Sequence, residues 1–171
     1  MKLSEVVKQK PSVPTAEERI HNWLRMYDIT DYTIRSNGVV DVRGGCDFSN
    51  LQETELPVQF GYVDGSFDCY SSRLQSFTGF PNRIGGNLYL YDSHVYSLHG
   101  IEKVVTHVGG IVSISPKATH ILGLLLFEVG EISVDDDGPI DDIMNKYINT
   151  GDIIGAQDEL LDAGFKDQAR L

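Results

Sequence analysis

The sequence predicts an α+β protein. Its centre is a short solenoid carrying a parallel β-sheet, with a helix and β-hairpin cap before it and a helical cap after it. Three observations lead there. Apolar residues recur at an interval of 21 through the middle of the chain, each recurrence is a short strand of period two, and both flanks change to helical spacing.

The recurrence comes first. Cys46, Phe67 and Leu88 stand 21 residues apart, as do Phe48, Cys69 and Leu90, and Leu56, Phe77 and Leu98. Val63 and Ile84, and Gly65 and Gly86, keep the interval. A slightly longer turn then carries the pattern to Val108, Gly110, Val112 and Ile114. One such turn cannot bury its apolar face alone, so four of them stacked make a continuous core of the kind found in leucine-rich-repeat solenoids. In each strand the alternate residues point inward: Cys46/Phe48, Phe67/Cys69, Leu88/Leu90 and Val112/Ile114. Gly79 and Gly100 mark tight bends. Gly85-Gly86 and Gly109-Gly110 are expected to turn the chain into the next strand through dihedrals that other residues resist, and Pro57 and Pro81 stiffen the return limb. These glycines precede strands, whereas a phosphate loop places them between a strand and a helix start.

The flanks follow in order. Thr15-Ala16-Glu17-Glu18 is a capping box, and Ile20, Trp23, Leu24 and Tyr27 share a helix face that plugs the open end of the solenoid. Asn37-Gly38 between two alternating runs predicts a tight hairpin that guards the first edge strand. At the far end Val129-Gly130 echoes Val108-Gly109, and Glu131 to Val134 supplies one more, degenerate rung. Asp135-Asp136-Asp137-Gly138-Pro139 breaks regular structure. Ile140, Ile143, Met144 and Tyr147 then predict one helix, and Ile153, Ile154, Leu160 and Leu161 another, with Gly164 ending it. The chain therefore divides into a flexible N-terminus (1–14), a helix and hairpin cap (15–44), the solenoid (45–134), and an acidic linker with a C-terminal helical cap (135–171).

Within the solenoid, Leu74, Ser76, Phe77, Gly79, Pro81, Ile84, Gly86, Leu88 and Leu90 form one motif. Leu56-Pro57, Val63, Gly65, Phe67 and Cys69 repeat it in the turn before. The run LPVQFGYVDGSFDCYSSRLQSFTGFPNRIGGNLYL resembles the leucine-rich-repeat-like proteins encoded in many tailed bacteriophages. Their repeat reads leucine-x-serine-leucine-x-glycine-x-proline, valine-x-glycine, phenylalanine-x-cysteine. The likeness extends to the Trp23-Leu24 helix and its hairpin and, more loosely, to the C-terminal helices. It departs where paired asparagines usually follow the strand, for Ser71-Ser72 and Asp92-Ser93 stand there. The resemblance implies a phage accessory protein acting in the host cytoplasm, in a family largely without assigned activity.

The 171 residues carry a formal charge of −11, which argues against direct binding to a phosphate backbone. The apolar run Ile121 to Val129 is too short to span a bilayer, and the N-terminus lacks the apolar stretch of a secretory signal, so a cytoplasmic protein is expected. Cys46 and Cys69 lack metal-site spacing and read as buried thiols. His94, His99, His107 and His120 would be the groups of a metal- or histidine-dependent enzyme, but they occupy different phases of the turn and show no metal-ligand spacing. The Asp135 to Asp137 run lacks the alternating ligands of a calcium loop. Ser66 sits at a strand start rather than in a nucleophile elbow. No catalytic residue, metal ligand or cofactor follows from the sequence.

The outward strand positions do carry a signal. They form two rows, Asp47, Asp68, Tyr89 and Ser113 in one, and Ser49, Tyr70, Tyr91 and Ser115 in the other. Tyrosine offers rigid contact area with a polar tip, and solenoid sheets present extended binding surfaces. Asp47, Asp68, Tyr70, Tyr89 and Tyr91 are thus the candidate partner-binding residues of a noncatalytic module with a host or phage protein as partner. A host defence protein or toxin would be one such target. An acidic nucleic-acid mimic that blocks a nucleic-acid-binding protein is the alternative.

Overall fold

Thr15 opens the first helix through reciprocal capping. Its hydroxyl accepts from the Glu18 amide at 3.1 Å, and the Glu18 carboxylate accepts from the Thr15 amide at 2.7 Å, which satisfies two donors that a helix start leaves unpaired. Helix α1 (Ala16–Met26) follows. The structure, a computed structural model, describes residues 13–134 and 138–171. Most of the expected flexible N-terminus and the Asp135 to Asp137 linker lie outside the described residues. Trp23 and Leu24 of α1 are buried, and Trp23 stacks on Phe48 with ring centroids 5.3 Å apart.

Strands β1 (Tyr32–Ile34) and β2 (Val40–Val42) pair antiparallel, with Ile34 opposite Val40. The Arg35 amide donates to the Val39 carbonyl at 2.8 Å, and Gly38 takes φ 83 in the loop between them. A glycine in that left-handed position is what a short hairpin loop requires.

From β2 onward the chain winds as a parallel β-solenoid of about five turns. Each turn contributes to two ladders, where the sequence had indicated one sheet. The strands in chain order are β3 (Cys46–Asp47), β4 (Phe60–Val63), β5 (Phe67–Asp68), β6 (Arg83–Ile84), β7 (Leu88–Tyr89), β8 (His107–Ile114) and β9 (Glu128–Val134). The first ladder registers Val42, Val63, Ile84, Val108 and Val129 through β2, β4, β6, β8 and β9. The second registers Cys46, Phe67, Leu88, Val112 and Ile132 through β3, β5, β7, β8 and β9. Val63, Ile84 and Val108, which follow the repeat pattern, are therefore rungs of a ladder of their own. The hairpin strand β2 is itself the first rung of the first ladder, so β1 shields that ladder's edge and not the edge of β3.

Inward residues meet as expected. Phe48, Phe67, Cys69, Leu88, Leu90, Val112 and Ile114 are all buried, and Phe67 touches Phe48 and Phe80 with centroids 5.3 Å away in each case. Phe80, absent from the repeat motif, is wholly buried, whereas Phe77 is only partly so and packs edge-on against it.

The corner glycines serve a different end from the one expected. Gly79 and Gly100 do adopt left-handed dihedrals, φ 83 and 82. Gly85 and Gly109 do not. A Cβ on Gly85 would lie 2.2 Å from the Asp64 carbonyl oxygen, and one on Gly109 would lie 2.3 Å from that of Gly85. Close stacking of corner upon corner excludes a side chain there.

Asn50, Ser71 and Asp92 repeat a left-handed residue just after the strand in three successive turns, with φ 62, 51 and 55. Asn and Asp tolerate this region best. Serine in the middle turn is held by its hydroxyl, which donates to the Asp92 carboxylate at 3.0 Å.

Two 3₁₀ segments, Ile101–Lys103 and Ile121–Leu126, interrupt the last return limbs, and most of the second is buried. Helix α2 (Pro139–Tyr147) lies along β9. The Asn145 side chain accepts from the Ile132 amide at 2.9 Å and donates to the Ile132 carbonyl at 2.7 Å, and Asp141 accepts from the Val134 amide. These bonds occupy backbone groups that an edge strand would otherwise expose.

Helix α3 (Ile153–Asp162) buries Ala156 and Leu160. Ile154 and Leu161 are exposed, contrary to the predicted apolar face, because Ala156 and not Ile154 faces the core. Gly164 takes φ 91 beyond the helix end. The following segment returns to the solenoid, with the His120 and Ile121 amides donating to the Asp167 and Gln168 carbonyls at 3.0 and 3.2 Å.

Candidate functional site

The second ladder sets its outward residues in register. Asp47 lies opposite Asp68, Asp68 opposite Tyr89, Tyr89 opposite Ser113, and Ser113 opposite Ser133. The Asn50 and Ser71 amides donate to the Tyr70 and Tyr91 carbonyls at 2.9 and 3.2 Å, so the parallel pairing continues through the second row. Tyr70 and Tyr91 stack there nearly parallel, with ring centroids 5.9 Å apart and an interplanar angle of 12°. Tyr70 remains 44% exposed.

The row is locally ordered. Asp47 accepts from the Ser49 amide at 2.9 Å, and the Ser49 hydroxyl and amide together hold its carboxyl below the usual range. Asp68 accepts from the Tyr70 amide at 2.8 Å. These two-residue loops explain why aspartate suits both positions, and they fix the backbone on which the next side chain stands. Tyr89 is half-buried, and its hydroxyl accepts from the Asn87 amide group at 2.6 Å, while the Asn87 oxygen accepts from the Ile111 amide at 2.9 Å. Tyr89 is thus tied into a corner network, and Tyr70 is the more accessible ring.

The first ladder presents a different surface. Its outward row runs Tyr62, Arg83, His107 and Glu128 in register. His107 Nδ1 meets Glu128 Oε2 at 2.7 Å, Arg35 grips Asp41 through two bonds of 2.7 Å, and the Tyr62 hydroxyl donates to Asp64 at 2.6 Å. Sequence reasoning missed this row because its first rungs, in β4 and β6, are only four and two residues long. The interval of 21 between His107 and Glu128 was the available signal. A cavity of about 600 Å³ adjoins the pair, with Leu126, Phe127 and Ile148 among its lining.

The four histidines between residues 94 and 120 separate into three places. His99 and His120 come together edge to face with centroids 5.7 Å apart, His94 Nδ1 meets the Ser72 carbonyl at 3.0 Å, and His107 stands on the first ladder. Among the described residues no group of three or more His, Cys, Asp or Glu side chains is placed to hold a metal ion. Burial pushes the Cys46 thiol up to about 12, and it pushes Cys69 well above the ordinary value too, so both are poor nucleophiles. Among the described residues no helix is long and apolar enough to cross a membrane. Comparison with known proteins adds no relative: no family model, curated protein or solved structure matches the chain.

Proposed function

We propose that the chain is a noncatalytic protein-binding module whose docking face is the outward surface of the second ladder. In this reading it is a phage accessory protein of the leucine-rich-repeat-like kind, its terminal helices serve as caps, and it binds and restrains a host protein such as a defence factor or toxin. The observation that carries the reading is the stack of exposed Tyr70 on half-buried Tyr91 beside the in-register Asp47 and Asp68 pair. A tyrosine pair retained only for sheet stability gains most when both rings are covered, yet Tyr70 keeps 44% of its surface in water. Like charges directly opposite one another also cost stability. A surface that accepts both costs is suited to a partner that relieves them.

The nucleic-acid mimic is less well supported. It needs carboxylates that continue along the row, and the next rungs carry Tyr89, Ser113 and Ser133.

The test is affinity purification from infected cells with the bound protein identified, followed by binding measurements with Tyr70→Ala/Tyr91→Ala and, on the other face, Tyr62→Ala. The double variant is expected to bind the identified partner at least about tenfold more weakly, and Tyr62→Ala to bind as the parent does. Retained affinity in a folded double variant would refute this choice of face.

A further inference from the structure

The chemistry of the partner can be read from the end of the tyrosine stack, given the docking face proposed above. Tyr70 turns one ring face to Tyr91, 5.9 Å away. Its other neighbour in the ladder is Ser49, as the Phe48 amide bonding to the Asp68 carbonyl at 2.7 Å and the Asn50 amide bonding to the Tyr70 carbonyl at 2.9 Å require. Rungs of a sheet are about 4.8 Å apart, and a serine is too short to cover a phenol ring across that distance. Among the described residues, one rung of stacking space therefore stands over Ser49.

Two residues back along the strands, Asp47 and Asp68 face each other across the same two rungs. Asp68 has one carboxylate oxygen on the Tyr70 amide, and its carboxylate makes no other side-chain hydrogen bond among the described residues. The two outward rows of this ladder contain no lysine or arginine: they read Asp47, Asp68, Tyr89, Ser113 and Ser133, and Ser49, Tyr70, Tyr91 and Ser115.

We propose that this slot takes an arginine side chain of the partner protein, its guanidinium lying flat on Tyr70 over Ser49 with its N–H groups turned to Asp47 and Asp68. The fit is specific to that group. A guanidinium is planar, stacks on aromatic faces and presents a fork of donors to carboxylates, whereas an ammonium is a compact point charge that does neither. A neutral aromatic group could fill the space but would leave the facing carboxylates unrelieved. The slot thus assigns an arginine-bearing segment as the occupant.

The test uses the full chain and fluorescently labelled nona-arginine and nona-lysine peptides, with binding followed by anisotropy at physiological salt. Because both peptides carry the same charge, general attraction to an acidic protein is common to both. Nona-arginine is expected to bind about threefold or more tightly than nona-lysine. Ser49→Tyr, an outward substitution that extends the stack into the slot and keeps the Ser49 amide bond to Asp47, is expected to bring the two affinities together. Asp68→Asn is expected to weaken the arginine peptide more than the lysine peptide. Equal affinities in the parent, or a preference that survives Ser49→Tyr in a protein with unchanged urea midpoint, overturn the slot. If the preference is absent while Tyr70→Ala/Tyr91→Ala still releases the identified partner, the docking face stands and the arginine assignment falls. If the double variant also retains its partner, both fall.

Discussion

Gly85→Ala is the most direct probe of the solenoid's stacking geometry. The added carbon would sit 2.2 Å from the Asp64 carbonyl oxygen and 3.1 Å from its carbon, where even a close C···O contact is about 3.3 Å. The overlap of about 1 Å is against backbone, so no side chain can swing aside. The corner must open, and the bonds that hold it, Gly85 amide to Val63 carbonyl at 2.8 Å and Gly86 amide to Gly65 carbonyl at 3.0 Å, must stretch. Overpacking costs about 1–3 kcal/mol and each weakened bond about 1 kcal/mol more, offset by the about 0.4–1 kcal/mol that alanine gains by restricting the unfolded chain. The net expectation is a loss of about 3 kcal/mol, or about 6–12 °C in melting temperature for a chain of this size. Urea titration and thermal melting followed by circular dichroism would measure it. Gly44→Ala is the control, since nothing lies within 4 Å of its added carbon, and its stability should stay within about 0.5 kcal/mol of the parent. Asparagine separates crowding from dihedral preference: at Gly100, with φ 82 and only the end of Lys103 near, it should be tolerated, whereas at Gly85 it should do at least as much damage as alanine. A Gly85→Ala protein that melts within a degree of the parent would refute the crowding argument.

Other outcomes follow from the edges and the core. Asn145→Ala removes both bonds to the Ile132 backbone; a loss of about 1–3 kcal/mol is expected, with self-association visible by light scattering as the β9 edge is bared. The buried thiols give a pH dependence of fixed sign. Cys46 titrates near 12 in the folded chain, and Cys69 also well above the ordinary 9.0, so folding is unaffected below about pH 9 and weakens as pH rises toward 12, by up to about 1.4 kcal/mol per pH unit for each thiol. Urea midpoints between pH 8 and 11 should show a shallower slope in Cys46→Ala/Cys69→Ala than in the parent, the remainder coming from Tyr27, Tyr62 and Tyr147, which are also raised; identical slopes would refute it. Tyr70→Ala/Tyr91→Ala should cost partner affinity far more than it costs melting temperature, which separates a docking role from a packing one.

What could be read from the sequence was whatever repeated strongly. Leucine, phenylalanine and cysteine at an interval of 21 gave the second ladder, its inward rows and the order of its outward ones, because burial imposes a strict period on each rung. The first ladder escaped notice because rungs such as Arg83–Ile84 are two residues long, too short for alternation to show, and the neighbouring glycines looked like a turn. Helix α1 and the hairpin were marked by local chemistry, a capping box and Asn-Gly. The misplacement of Ile154 and Leu161 arose where local chemistry is silent, because which face of α3 is covered depends on how the C-terminal segment returns to the solenoid. Stacking of Tyr70 on Tyr91 followed from the interval, but the engagement of Tyr89 by Asn87 did not, since Asn87 stands where the preceding turn has Ser66 and so lies outside the repeat.

The two outward rows also differ in charge balance, and this difference supports the proposed docking face. On the first ladder each acidic group has a partner of its own: Arg35 on Asp41, His107 on Glu128, and the Tyr62 hydroxyl on Asp64. A cation arriving there would have to displace these bonds, which are already close to ideal length. On the second ladder, among the described residues, Asp47 and Asp68 are answered only by neutral backbone amides and the Ser49 hydroxyl, and no lysine or arginine stands in their rows. Their charge therefore remains uncompensated beside an exposed aromatic ring. An incoming guanidinium would gain there what the first ladder has already given to its own residues, which is why the proposed docking face is the second ladder and not the first.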